Sequence, residues 1–326
     1  DFSNDAKGAL LLEGTRSNLV TYSNDFDNAA WLKVGGAITP NIGVSPDGSL
    51  NADRFYISTA AANTRLYINY TYSASTYTAS VYAKNNGNTN TFRFSYADSG
   101  GQSFSPNFTL TNQWQRFEYT FTSVGGSGVF WFATTSSTGV GSELDIQIYG
   151  AQLEQGSYAT SYIPTQGSAV TRSADVCNNG GNEQVINSTE GVLYAEISAL
   201  GIATNKYINI YQDANNRILL WITSTGVIRG YAIVNSSGSD VFIDAVGVDA
   251  TNNNKIALSW QGFTLSLFVN GIKIGNSTVT NSFSTMNLTT LDLKDVTNAN
   301  FFYGNVKDVR VYNTALTDAE LQALTK

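Results

Sequence analysis

The sequence predicts an all-β protein made of two antiparallel β-sandwich (jelly-roll) domains with a short C-terminal helix. First, short segments that alternate apolar and polar residues run along most of the 326 residues. Second, only 13% of the residues are charged while 42% are hydrophobic, so uncharged polar residues supply most solvent-facing positions. Third, Gly, Asn, Ser and Asp separate the segments, which is typical of sandwiches built from short strands.

The alternating segments lie in both halves of the chain. In the first half they are 77–84, 92–97, 117–122, 129–134 and 144–149. In the second half they are 206–212, 217–223, 255–261, 265–270 and 305–312. These segments are rich in β-branched and aromatic residues, which favour the pleated surface of a sheet.

Turn and capping signals add two local predictions. Asn270 and Gly271 both tolerate a positive φ, so they predict a tight hairpin turn between two strands. Thr317 and Glu320 form a capping box ahead of a short apolar stripe, which predicts the terminal helix.

A polar stretch divides the chain into two parts. Residues 166–190 show weak periodicity and contain Asn-Asn-Gly-Gly, as expected of an irregular connection. We therefore predict a jelly-roll module at 1–172, a linker at 173–185 and a second sandwich at 186–326.

Several classes of function are excluded by composition. The chain has no His, so histidine-dependent nucleophiles and histidine metal sites are excluded. Cys177 is the only Cys, so no disulfide forms within the chain, and we expect an accessible thiol. The net charge of -7 and the pI near 4.6 argue against nucleic acid as a partner. No apolar run reaches the roughly 18 residues of a membrane helix, so we expect no membrane insertion.

The first part of the chain resembles a known family. Segments 10–33, 45–55, 77–84, 114–122 and 148–172 resemble, in order, a jelly-roll domain of bacteriophage tail and virion proteins. That domain is distantly similar to carbohydrate-binding modules of families 4 and 9. The resemblance implies a polysaccharide or other glycan as partner, a virion (tail) or extracellular location, and other virion proteins as further partners.

The second part resembles a different family. Segments 267–275 and 302–324 resemble the concanavalin-like, laminin-G-type lectin domain. Such folds host lectins, hydrolases and passive spacers, so this resemblance implies a fold and not an activity.

The resemblance to family 4 modules also implies a structural Ca²⁺. In that family, acidic residues on the final strand hold the ion, whereas here segment 150–154 has only one acid, and it is displaced. Oxygen ligands from elsewhere in the chain would suit Ca²⁺. The candidates are Glu13, Asp25, Asp27 and Asp145. The alternative is that these carboxylates only cap turns.

Two enzymatic alternatives fit the residues poorly. Glu143-Leu144-Asp145-Ile146-Gln147 approaches the carboxylate pattern of sandwich glycosidases, but Gln147 is no general acid. Tyr82 and Lys84 lie on one strand face and resemble a fragment of an alginate-lyase motif whose remainder is absent. We therefore expect no enzymatic activity.

Strand alternation separates the inward and outward side chains. Phe92, Phe94 and Phe130 fall on the core side of their strands. The residues that alternate with them along each strand, such as Arg93 and Trp131, therefore face outward. If the strands share one sheet, the outward aromatic, basic and amide side chains form a glycan-binding face in which Lys84 and Arg93 favour acidic polysaccharide. That set is Tyr82, Lys84, Arg93, Trp131, Gln147 and Tyr149. The alternative is that a loop covers Trp131.

The other tryptophans receive simpler interpretations. We expect Trp31 and Trp114 to be core anchors, and Trp221 and Trp260 to pack in the core or under loops. Arg229 and Tyr231 form a weaker outward pair in the second part of the chain.

The sequence thus predicts a non-catalytic carbohydrate-binding protein, and the resemblance of its first part implies that it belongs to a phage tail fibre or virion. Two alternatives stay open. One is a polysaccharide-degrading enzyme, or the binding modules appended to such an enzyme. The other is a structural virion spacer that binds nothing.

Overall fold

The computed structural model describes residues 8–58, 64–87, 91–134, 143–235 and 240–326. The chain divides into two compact modules. The N-terminal module is Thr15–Ser173, and the C-terminal module combines the chain before residue 15 with Ala174–Lys326. Strand β1 (Leu10–Leu12) therefore belongs to the C-terminal module.

The N-terminal module contains two large sheets and one small one. Its strands are β2 (Arg16–Asn18), β3 (Leu32–Val34), β4 (Ala37–Val44), β5 (Leu50–Ile57), β6 (Arg65–Tyr72), β7 (Ser75–Asn85), β8 (Thr91–Asp98), β9 (Gly101–Phe104), β10 (Phe108–Thr109), β11 (Gln115–Ser123), β12 (Gly126–Thr134), β13 (Leu144–Gln155) and β14 (Val170–Arg172). The six-stranded sheet has the order β10-β8-β12-β6-β3, with β9 paired to β8. The five-stranded sheet has the order β11-β7-β13-β5-β4, and β14 pairs with β2.

Aromatic side chains fill the space between these two sheets. Phe92 of the six-stranded sheet packs edge-on against Phe117 of the five-stranded sheet, with ring centroids 5.2 Å apart. Tyr96 stacks on Phe121 at 3.9 Å and so also joins the two sheets. Trp31 is buried in this core, as the sequence predicts. The aromatic faces of the alternating segments thus form the core of an antiparallel sandwich.

The C-terminal module is a second sandwich. Its strands after β1 are β15 (Glu190–Ala199), β16 (Lys206–Asp213), β17 (Asn216–Ile222), β18 (Ile228–Ile233), β19 (Val241–Ala245), β20 (Asn254–Gln261), β21 (Thr264–Val269), β22 (Ile272–Thr278), β23 (Thr290–Asp292) and β24 (Gly304–Tyr312). One sheet has the order β1-β24-β15-β20-β21-β22 and the other β19-β18-β17-β16-β23. A 3₁₀ turn spans Phe283–Thr285, and helix α1 spans Asp318–Leu324.

The local predictions for this module are confirmed. Asn270 and Gly271 have φ values of 50° and 80° in the turn between β21 and β22. Thr317 and Glu320 form the capping box at the start of α1, and Trp260 is fully buried in the core. The all-β fold class with two sandwiches and one short terminal helix is therefore confirmed.

Among the described residues, no helix has the length and apolar character needed to cross a membrane.

The chain enters and leaves the N-terminal module through neighbouring strands. Thr171 of β14 pairs with Ser17 of β2, so the first and last strands of that module lie side by side. Leu12 pairs with Gly304 and lies in the core of the C-terminal module. The module limits thus differ from the predicted 1–172, because the segment before Thr15 pairs with β24 rather than with its sequence neighbours.

Candidate functional site

The six predicted glycan-binding residues are divided between the two large sheets of the N-terminal module. Tyr82, Lys84, Gln147 and Tyr149 belong to the five-stranded sheet, and Arg93 and Trp131 belong to the six-stranded sheet. The outer faces of two sheets in a sandwich point in opposite directions. The prediction of one shared face is therefore wrong for Arg93 and Trp131.

The other four residues are neighbours on the outer face of the five-stranded sheet. Lys84 pairs with Gln147, and Tyr82 pairs with Tyr149, in the register between β7 and β13. Tyr82, Lys84 and Gln147 are half-buried and keep part of their surface in solvent. Strand alternation placed all four correctly on the side away from the core.

Tyr149 faces outward but is covered. Only 5% of its surface is exposed, because its ring lies 6.0 Å from that of Tyr82 and 5.3 Å from that of Tyr162. Its hydroxyl donates to Asp47 over 2.8 Å. Burial and this carboxylate raise the pKa of Tyr149 to about 12. Tyr149 therefore supports the face from below and does not stack on a ligand.

A row of hydrogen bonds holds the polar side chains of this face. The Arg54 guanidinium donates two bonds of 2.7 Å to Asp145, and Asn86 donates to the same carboxylate over 3.0 Å. Gln147 in turn donates to the Asn86 side chain over 2.8 Å. Burial by itself would raise the pKa of Asp145, but these hydrogen bonds hold it below its ordinary value. The amide and guanidinium groups are thus held in place by hydrogen bonds within the protein.

Aromatic rings flank this polar row on both sides. Trp114 is half-buried, its Nε1 donates to the Val44 carbonyl over 3.0 Å, and the Lys84 ammonium lies 4.9 Å from its ring centroid. The prediction of Trp114 as a core anchor is therefore wrong. On the other side, the Arg54 guanidinium lies 4.5 Å from the ring centroid of Tyr56.

Sequence reasoning could have found Trp114. It precedes the outward-facing Arg116 by two residues and the buried Phe117 by three, so strand alternation extended by one pair places it outside. We name this surface the Trp114 face. It consists of Arg54, Tyr56, Tyr82, Lys84, Asn86, Trp114 and Gln147.

On the opposite sheet, Trp131 is also outward but covered. It is absent from the core between the sheets, yet only 3% of its surface is exposed. The Arg65 guanidinium lies 5.3 Å from its ring centroid, and Phe104 packs perpendicular to it at 6.4 Å. The prediction that Trp131 is an exposed stacking residue is therefore wrong, because side chains of neighbouring strands cover it.

Arg93 lies in the same outer layer as Trp131. Its guanidinium lies 3.8 Å from the ring centroid of Phe104, and that of Arg65 lies 4.8 Å from Tyr67. Both arginines are half-buried. We name this surface the arginine face. It consists of Arg65, Tyr67, Arg93, Phe104 and Trp131.

The four candidate calcium ligands are divided between the two modules. Glu13 is buried in the C-terminal module, where its backbone N–H donates to Asp175 over 2.9 Å. Asp145 is engaged by Arg54 in the N-terminal module. Among the described residues, no group of three or more acidic or Cys side chains has a geometry that holds a metal ion. The prediction of a structural Ca²⁺ stays a prediction.

Asp25 and Asp27 line a cavity of about 500 Å³ together with Asp53. Asp53 is 1% exposed and accepts hydrogen bonds from the backbone N–H groups of Phe26 and Asn41. Burial nevertheless raises its pKa to about 6. The hydrogen bond and charge of Asp25 raise the pKa of Asp27. The contribution of Asp53 to the stability of the fold near the cavity should therefore depend on pH.

Asp145 of the glycosidase-like segment lacks the raised pKa of a general acid. A general acid at neutral pH needs a raised pKa, whereas that of Asp145 is lowered. Gln147 lies against Gly43, since a Cβ added there would clash with the Gln147 Oε1. The expectation of no enzymatic activity stays a prediction.

The C-terminal module carries an aromatic layer of its own on the β16–β19 sheet. Trp221 stacks on Tyr207 with ring centroids 5.5 Å apart, and Tyr231 meets it edge-on at 6.1 Å. The Arg229 guanidinium covers Trp221 and donates two bonds to Asp244. The predicted outward pair of Arg229 and Tyr231 is thus part of a half-buried layer that also contains Trp221.

Part of the C-terminal module matches a known family. Residues 195–322 match the family described as the concanavalin A-like lectin/glucanases superfamily. This match agrees with the laminin-G-type resemblance of the sequence. Comparison with curated proteins gave no match.

Several solved structures are similar to the chain at low identity. The CBM40 of the Ruminococcus gnavus IT-sialidase is 18% identical, with a TM-score of 0.38 over 47% of this chain and 95% of that one. A SAP-like pentraxin from Limulus polyphemus is 13% identical, with a TM-score of 0.38 over 46% and 75%. Domains LG4-5 of the mouse laminin alpha1 chain are 10% identical, with a TM-score of 0.31 over 95% of both chains.

Proposed function

We propose that the protein is a non-catalytic carbohydrate-binding protein and that the Trp114 face binds the sugar chain. The observation that carries this proposal is the row in which Trp114, Lys84, Gln147 and Arg54 follow one another across the outer face. Aromatic rings pack on the apolar C–H faces of sugars, while amides and guanidinium groups bind hydroxyls.

The electrostatics of this face favour an uncharged sugar chain. The Arg54 charge is neutralised by Asp145, which also fixes Asn86 through a hydrogen bond. Arg116, next to the face, lies 3.8 Å from Glu118. Only Lys84 brings a charge without a carboxylate within ion-pair distance among the described residues, and its ammonium lies over Trp114. Fixed hydrogen-bonding groups beside flat rings suit hydroxyl-rich, neutral polysaccharide.

Affinity electrophoresis of the full chain in gels that contain xylan, mixed-linkage β-glucan or galactomannan tests this proposal. Trp114→Ala should weaken retention at least about tenfold, since losing a stacking anchor typically costs ~2 kcal/mol. Trp221→Ala removes a half-buried tryptophan of the other module and is the matched control. If Trp221→Ala abolishes retention and Trp114→Ala does not, the site lies in the C-terminal module. If no polysaccharide retards the wild type, the proposal is wrong.

The enzymatic alternative is tested with the same polysaccharides. Incubation should release no new reducing ends, since the hydrogen bonds to Asp145 lower its pKa while a general acid at neutral pH needs a raised one. It should release no unsaturated products either, since Tyr82 and Lys84 lack the rest of the lyase motif. Reproducible turnover would overturn the non-catalytic assignment.

We also propose a place for the protein in a phage tail or virion. The resemblance of segments 10–33 and 148–172 to tail and virion jelly rolls supports it. Sequencing the gene upstream of residue 1 tests this placement. Tail or virion sequence there would support it, whereas a catalytic polysaccharidase domain would make the chain a pair of appended binding modules.

A further inference from the structure

The arginine face carries positive charge that no carboxylate of the described residues balances. None of the ion pairs among those residues involves Arg65 or Arg93. The protein as a whole has a net charge of -7, yet neither of these two arginines has an acidic partner among the described residues. A half-buried charge without a partner costs free energy, and a bound anion recovers it.

Stacking fixes the orientation of both guanidinium groups. Arg93 lies 3.8 Å from the Phe104 centroid, and Arg65 lies between Tyr67 and Trp131. The Nε atoms of both arginines are buried and have no hydrogen-bond partner among the described residues. The Nη groups hold the remaining hydrogen-bond donors of each guanidinium. A planar guanidinium held in this way matches a carboxylate, which accepts two parallel hydrogen bonds.

The two arginines are spaced for two anionic groups. Arg65 of β6 pairs with Ala133 of β12, which pairs with Arg93 of β8. They are two strands apart in one row, or about 10 Å at the usual strand spacing. One small anion does not bridge that distance, whereas two carboxylates on one polymer chain do.

We propose that the arginine face is a second binding site that takes an acidic polysaccharide, with one uronate carboxylate held by Arg65 and another by Arg93. The site is on the opposite sheet from the Trp114 face and does not depend on it. A polyuronate is favoured over single-stranded nucleic acid, which needs exposed rings for base stacking. Here Trp131 is 3% exposed and lies beneath Arg65.

Polygalacturonate and its fully methyl-esterified form are the probes, used with the full chain in isothermal titration calorimetry. The ester keeps the backbone and removes the charge. The acid should bind and the ester should not bind at this site. The double variant R65Q/R93Q should weaken binding of the acid at least about tenfold, since it removes both charge-assisted contacts. R65K/R93K should recover part of the affinity, because lysine keeps the charge but not the fork.

Three controls show where on the protein the acid binds and whether charge holds it. Arg217→Gln removes an arginine that stacks on Tyr231 in the other module and should leave binding of the acid unchanged. Trp114→Ala should also leave it unchanged, so failure of one site is distinguishable from failure of the other. Affinity should fall as NaCl rises from about 50 mM to about 500 mM.

Two results would overturn the proposal. Equal affinity of wild type and R65Q/R93Q for polygalacturonate, with both folded by circular dichroism, would show that the arginines bind no carboxylate. Oligo-dT that binds more tightly than polygalacturonate, and loses affinity in the same variant, would assign the face to a polyphosphate.

Discussion

Both modules place an arginine over a tryptophan on the outer face of a sheet, but only one of them neutralises the arginine. In the C-terminal module, Arg229 lies 4.8 Å from the Trp221 centroid and donates bonds of 2.6 and 2.9 Å to Asp244. In the N-terminal module, Arg65 lies 5.3 Å from Trp131 with no carboxylate in ion-pair distance among the described residues. The two arginines thus pack in similar ways. The charge of Arg229 is neutralised within the protein, whereas that of Arg65 is available to the proposed ligand.

The pKa values of Arg229 and Arg93 shift in opposite directions. The hydrogen bond to Asp244 raises the pKa of Arg229. Burial lowers the pKa of Arg93, because no acid in the described part of the chain compensates for its loss of water. An arginine that packs against an aromatic ring therefore indicates a binding site only when no carboxylate of the protein lies within ion-pair distance of it.

The largest expected effect separates the two tryptophans. Trp131→Ala should cost about 3–5 kcal/mol of unfolding free energy, because it empties a site that Arg65 and Phe104 now cover. Trp221→Ala should cost clearly less, since that side chain is only half-buried. Urea unfolding of the full chain measures both. An unchanged midpoint for Trp131→Ala would mean that Trp131 is a free ligand contact.

The second prediction is that the stabilities of the two modules depend on pH in opposite directions. Burial raises the pKa of Asp53 to about 6, so the folded N-terminal module binds a proton that the unfolded chain releases above its ordinary pKa of 3.8. Its stability should therefore fall as the pH rises from about 4 to about 6, by at most ~3 kcal/mol. Burial lowers the pKa of Lys206 to about 8, so stability of the C-terminal module should rise between about pH 8 and 10.5.

Melting temperatures recorded from about pH 4 to about pH 10.5 measure both the acidic and the alkaline change in stability. EDTA in the buffer removes any effect of bound metal ions. Asp53→Asn should flatten the acidic slope and leave the alkaline one. Lys206→Met should do the reverse, since it removes an ammonium that donates to the Thr204 carbonyl from a side chain that is 3% exposed. A wild-type curve that is flat in both windows would contradict the burial of these charges.

The smallest expected effect comes from removing the acidic partner of Arg229, which leaves that arginine unpaired like Arg65. Asp244→Asn should cost about 1–2 kcal/mol, because Arg229 loses its charged partner while the shape stays. In the R65Q/R93Q background, the same change should restore weak binding of polygalacturonate. Calorimetry of the triple variant measures this gain. Binding no better than that of the double variant would show that an open arginine alone does not make a site.

Local patterns predicted most of the fold. The ten alternating segments are strands, and the capping box and the Asn270-Gly271 turn are where the sequence places them. The module limit was less predictable, because Leu12 pairs with Gly304 at a great distance along the chain. Strand alternation carries no information on which distant strand will be the partner.

The sequence by itself determined which side chains leave the core, because period-two alternation is a local property of a strand. Tyr82, Lys84, Arg93, Trp131 and Gln147 all face outward as predicted. Only the tertiary structure decided which sheet each strand joins, and so which of these residues share a face. It also decided their exposure, since the side chains that cover Trp131 and Tyr149 come from strands and loops remote in sequence. Pairing and covering depend on long-range contacts, which no local pattern encodes.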